Sequence, residues 1–145
     1  MKIELTGSLP TGGNSAPVLL CAGLPPNETD PIGPLDDWSF EKTRVVQTSQ
    51  PVRAQYTTQF FRGLRNSRLT FTALRKFSTF TDAESFCLKH EESLPARGTL
   101  KLTTDAAGGG FAAITIANAE LISAVCFNKG RSVLITYQFT GGQVT

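Results

Sequence analysis

Beyond residue 42 the apolar and polar positions alternate with a period of two. In RAQYTTQF (53–60) Ala54, Tyr56, Thr58 and Phe60 fall on one face, and in RLTFTALRKF (68–77) Leu69, Phe71 and Ala73 alternate with Thr70, Thr72 and Leu74. Alternation of this kind turns one set of side chains to a core and the other away, so each stretch predicts a strand. Between them RGLRNS, with Gly63 and Asn66, has the length and residue types of a hairpin connection. The period then changes. TFTDAESFCLKHEESLP carries Ala83, Phe86, Cys87, His90 and Leu94 at helical spacing, with Thr81 and Glu84 as a capping box. This predicts a helix near residues 81–93, stopped by Pro95 and Gly98, with Asp82 and Glu84 favourably placed at the positive end of its dipole.

Alternation returns after the helix. GTLKLTT predicts a strand and DAAGGG a loop, while FAAITIANAELISAVCF is long enough for two strands, or for one bent strand with a break near Asn118. NKGR is a turn, and SVLITYQF puts Val133, Ile135, Tyr137 and Phe139 on one face and Leu134, Thr136 and Gln138 on the other. The expected fold is mainly β (α+β): an antiparallel β-sandwich or rolled sheet of about six or seven strands with one flanking helix.

The N-terminal part follows another pattern. From residue 7 to 37 prolines and glycines interrupt every run and leave only APVLLCAGL as an apolar patch. Residues 1–41 are therefore read as an acidic Pro/Gly-rich arm or extended loop, with Trp38 as one of its anchors, and residues 42–145 as the β domain. At 145 residues the chain has the size of a single domain, able to bury a core without metal or disulfide staples. No apolar run approaches the roughly 20 residues of a membrane-spanning helix. MKIELTGSLPTGG has no apolar segment of a secretory signal, so synthesis in a cytoplasm is expected.

Charge sharpens the division. Residues 1–41 carry a net −5 and residues 42–145 a net +7, and the window 42–76 holds eight Lys or Arg without one carboxylate. Such a chain can place the acidic arm of one copy on the basic face of the next. On this reading Arg53, Arg62, Arg65, Arg68 and Arg75 on the basic side, with Asp36, Asp37 and Trp38 on the arm, are the candidate subunit-contact residues. Chemistry is otherwise scarce. Cys21, Cys87 and Cys126 form no C-x-x-C pair, His90 is the single histidine, and no phosphate loop, nucleophile elbow or H-E-x-x-H pattern is present. The expectation is a non-enzymatic protein with no catalytic residues, metal or cofactor. His90, near a helix C-terminus where a cation is favoured, is expected to be a packed or partly exposed side chain. Tyr56, Phe60, Phe61, Phe71 and Phe77 stand among the arginines, as in sheets that bind nucleic acid. Most of them occupy positions that a core needs, so direct nucleic-acid binding is disfavoured; a nucleic-acid- or carbohydrate-binding module remains the alternative.

The stretch RLTFTALRKFSTFTDAESFCLKHEESLPARGTLKL, with IANAELISAV and KGRSVLITYQFTGG after it, resembles small structural proteins of phage tails. The likeness covers roughly residues 53–142 and lies in the order of elements. An R-x-F-T strand leads to an A-x-x-F-x-x-x-H helix, then to a G-x-L strand, an N-A-x-L strand and a last strand ending Y-x-F-T-G-G. The resemblance implies a virion structural protein of the tail-tube, distal-tail or baseplate kind. It further implies a β-sandwich with a flanking helix, assembly as a homo-oligomeric ring with other tail proteins as partners, no membrane, and a place in the virion after synthesis in the bacterial cytoplasm.

Overall fold

The structure is a computed structural model. It describes residues 1–7, 13, 15–23, 30–35, 38–49, 58–103, 113–141 and 143–144, and for 43–49, 58–66 and 143–144 the backbone course alone. In chain order the elements are β1 (Lys2–Gly7), β2 (Val18–Ala22), β3 (Ser39–Ser49), β4 (Thr58–Lys76), α1 (Phe80–Ser93), β5 (Arg97–Thr103), β6 (Ile114–Lys129), β7 (Ser132–Thr140) and the two-residue β8 (Gln143–Val144). Every strand pair is antiparallel, in the order β2-β1-β5-β6-β7-β4-β3, with β8 on β6. The fold is mainly β with a single helix among the described residues, as the alternation predicts.

The sheet is rolled. Gly23 bridges to Gly33, and Ile32 exchanges backbone hydrogen bonds of 2.7 and 2.8 Å with Leu74 of β4. Residues 31–33 thus tie the β2 edge to β4, although no continuous strand ladder closes the sheet. The inner face collects Ile3, Leu5, Leu20, Leu69, Phe71, Ala73, Leu100, Leu102, Ile116, Val133, Ile135, Tyr137 and Phe139, all buried. Residues 2–7 and 18–22 belong to the stretch read from the sequence as an arm, yet they are strands. Ile3 and Leu5 recur with a period of two and complete the core; the prolines lie outside these short runs, and Gly7 is the last residue of β1.

The alternation in β7 holds residue for residue: Val133, Ile135, Tyr137 and Phe139 face in, and Leu134, Thr136 and Gln138 face out. The strand order around β4 differs from expectation. RGLRNS is not a hairpin turn but the middle of β4, and β4 pairs with SFEKTRVVQTS as β3. Arg44 pairs with Arg65 and Val46 with Phe61, so three residues of β4, Gly63 among them, stand opposite one of β3. A bulge absorbs the turn-forming residues. The same device explains Asn118. β6 runs unbroken through it at φ 57, because Gly98 pairs with Ala119 and Leu100 with Ile116, leaving an extra residue on β6. The helix also begins earlier than the Thr81 capping box implies. Thr79, extended at φ −130 and ψ 155, is the N-cap, and its hydroxyl accepts from the Asp82 amide at 3.2 Å. Arg53, Asp36 and Asp37, and the DAAGGG loop (105–110), lie outside the described residues.

At Gly98 the backbone of β5 passes against β1 so closely that a Cβ would stand 2.2 Å from the Thr6 carbonyl oxygen. Gly98→Ala is expected to force β1 and β5 apart and to lower stability by about 2 kcal/mol or more. Urea denaturation of the two proteins measures this.

Candidate functional site

Strand β4 is longer than the sheet it serves. Its Arg68–Lys76 part pairs with β7, but residues 58–66 pair, among the described residues, with β3 alone. Ten ladder positions from Ser39↔Thr70 to Ser49↔Thr58 hold β3 against β4. The distal part, residues 43–49 with 58–66, therefore projects as a two-stranded ribbon of roughly 25–30 Å at about 3.3 Å per residue. An isolated two-stranded ribbon is marginal in water, and the edge of such a ribbon is a template for a further strand. Arg44, Arg62 and Arg65 all lie on this ribbon.

The remaining candidate contact residues divide. Arg68 is exposed on the outer face of β4 and Trp38, 47% exposed, stands just before β3. Arg75 points the other way. It is half-buried on the inner face, its guanidinium 5.0 Å from the centre of the Phe86 ring of α1, and it takes no part in the outward basic surface.

Arg75 belongs instead to the seam between helix and sheet. Ala83 and His90 of α1 are buried and Phe86 and Cys87 partly so, as the helical spacing predicts. His90 Nε2 and the Tyr137 hydroxyl share a hydrogen bond of 2.6 Å, and Phe86 stacks on the His90 ring at 4.3 Å. Burial, reinforced by the Arg75 guanidinium, pulls the imidazole down to about pKa 4. The helix C-terminus does not win here. Desolvation outweighs the dipole that would favour a cation, so His90 is a neutral packed ring. Burial also drives the Tyr137 phenol well above its ordinary range, and it pushes the Cys126 thiol, next to Cys87, up to about 11. Neither cysteine is disulfide-bonded. For His90, Tyr137 and Cys126 burial favours the uncharged form, which suits packing between helix and sheet.

The outer surfaces carry what the sequence reading missed. On the outside of the sheet Leu74, Leu134 and Phe127 stand in one cross-strand row and Thr72, Thr136 and Val125 in the next. Val125 and Phe127 are 60% and 59% exposed, and the basic Lys76, Lys129 and Arg131 lie at the end of these rows. The alternation in AVCF and SVLITYQF contained this face; only the packing of α1 against the opposite face identifies it as uncovered. Across the molecule, the outer side of α1 exposes Asp82, Glu84, Glu91 and Glu92 around a Leu88 that is 81% exposed.

Among the described residues no group of three or more His, Cys, Asp or Glu side chains is placed to hold a metal ion, and no helix is long and apolar enough to cross a membrane. No family model matches the chain, and no curated protein matches it.

The His90 seam makes stability depend on pH. An unfolded imidazole titrates near 6.5 and the buried one near 4, so the neutral ring's contribution is complete above about pH 6.5 and is lost as pH falls through that window. Denaturant midpoints at pH 7.5 and 4.5 should show wild type losing up to about 3 kcal/mol more than His90→Phe, in which the surface carboxylates still titrate but the imidazole does not. Equal losses in the two proteins would exclude His90 as the cause.

Proposed function

We propose that this chain is a non-enzymatic structural subunit that assembles through repeated contacts into a ring or tube, as a component of a phage or phage-like tail. The observation that carries the assembly reading is the β3–β4 ribbon. Residues 43–49 and 58–66 extend past the rolled sheet with no third strand of the same chain beside them among the described residues. A ribbon of this kind gains its missing contacts from a neighbour, and where it meets a different surface of an identical chain the same contact can repeat. Repetition of one heterologous contact closes a ring when the rotation allows and grows a tube or filament when it does not.

The tail assignment rests on the resemblance over residues 53–142. The order strand, helix, strand, strand, strand on which that resemblance depends is the order β4, α1, β5, β6, β7. The basic side chains of the ribbon fit a neighbour's acidic surface, since residues 1–41 carry a net −5 against the +7 of the remainder.

Light scattering across concentration and salt, with negative-stain imaging, tests the proposal. Wild type is expected to form rings or tubes, and Arg62→Glu with Arg65→Glu is expected to shift it toward monomer while the thermal melt stays within a few degrees. A wild-type chain that is monomeric at every concentration would contradict the assembly reading. A pair of variants that assembles normally but loses a salt-dependent affinity for DNA would replace it with nucleic-acid binding.

A further inference from the structure

Two faces of the molecule are built to meet. The outer side of α1 presents Asp82, Glu84, Glu91 and Glu92 with one cation, Lys89, among them, and among the described residues none of these carboxylates is ion-paired. The outer side of the sheet presents Lys76, Lys129 and Arg131, all exposed, with Arg68 further along β4. Each face also holds exposed apolar side chains: Leu88 on the helix, and Val125 and Phe127 on β6. Lys129 covers part of Phe127, at 5.6 Å from the ring centre, which brings a cation and the apolar surface together at one place.

These faces point in opposite directions. α1 packs on the inner side of the sheet through His90 and Phe86, which meet Tyr137 and Arg75; Leu74, Thr136, Val125 and Phe127 alternate with those inner residues and face out. One chain cannot bring its own two faces together, but two copies in the same orientation can. From the charge and the exposed apolar residues we infer that the acidic outer face of α1 docks on the outer face of β4, β7 and β6 of a second copy. Leu88 lies against Val125 and Phe127, and Glu84, Glu91 and Glu92 lie near Lys76, Lys129 and Arg131. This inference rests on the assembly reading above and names a contact separate from the ribbon. The contact is heterologous, so it repeats along an axis and does not end at a dimer. Opposite charge on the rims sets the register, and the apolar centre is what loses water.

Charge reversal separates the possibilities. In one variant Lys76, Lys129 and Arg131 are changed to Glu; in the other Glu84, Glu91 and Glu92 are changed to Lys. Sedimentation velocity should show each variant alone assembling only at concentrations at least ten-fold higher than wild type. An equimolar mixture should assemble again, because each variant then supplies the face the other needs. Circular dichroism and melting establish that both are folded. Should a triple variant fail to fold, Leu88→Glu serves in its place, since that side chain is 81% exposed and its replacement leaves the core intact; it should also raise the concentration for assembly at least ten-fold. Variants that assemble as wild type does, or a mixture that fails to recover, would overturn the docking. If Arg62→Glu with Arg65→Glu still blocks assembly in that case, the ribbon reading stands and the face-to-face contact falls. A monomeric wild type overturns both.

Discussion

The packing of Phe71 on Tyr137, ring centres 5.1 Å apart, is the contact on which the arrangement of this protein depends. It fixes which alternate residues of β4 and β7 turn inward, and with Phe139 at 6.3 Å from Phe71 it forms the largest buried apolar mass of the sheet. Full burial of each such ring is worth roughly 1.5–3 kcal/mol. Since the side-chain period of a strand is two, the same register sends Leu74, Leu134 and Phe127 to the outside together. Tyr137 then receives the helix. Its hydroxyl bonds to His90, and the buried neutral pair fixes which side of α1 faces the sheet, hence which side displays its carboxylates.

One register therefore produces two unlike surfaces and a ribbon. β4 is held by β7 only as far as Arg68 and continues for ten residues beyond it, with β3 as its partner. Residues 31–33 tie β2 to β4 by isolated bridges alone, and the ribbon lies beyond that tie. The ribbon carrying Arg44, Arg62 and Arg65, the carboxylate-bearing side of α1 and the outer sheet face with exposed Val125 and Phe127 are the surfaces on which the proposed association rests.

Much of the body was legible from local pattern. β7, β5, the helix and the inward set of β4 follow from period-two or helical spacing, since each has one buried face and one outward face. The sequence was less informative where pairing overrides local chemistry. Gly63 and Asn66 look like a turn, yet bulged pairing with β3 carries the strand through them; Asn118 sits in a left-handed conformation inside a continuous β6 for the same reason. β1 is short and close to a glycine-rich stretch, so its place inside the sheet, between β2 and β5, depends on long-range pairing with β5, which no local window contains. The outer face was visible as an alternation, but whether helix or solvent covered it is a tertiary fact. His90 is packed, as its place on the apolar stripe of the helix suggests, and burial disfavours its cation more than the helix end favours it.

The role of the β3–β4 ribbon is tested most directly by amide hydrogen exchange along β4 as a function of protein concentration. Residues 68–74, which pair with β7 on one edge and meet β3, Leu35 and Ile32 on the other, are expected to be protected at every concentration. Residues 58–66 should exchange fast in dilute solution and slow as the protein assembles. Protection of 58–66 equal to that of 68–74 in a dilute monomer would show that the ribbon is completed within one chain and would contradict its role in assembly.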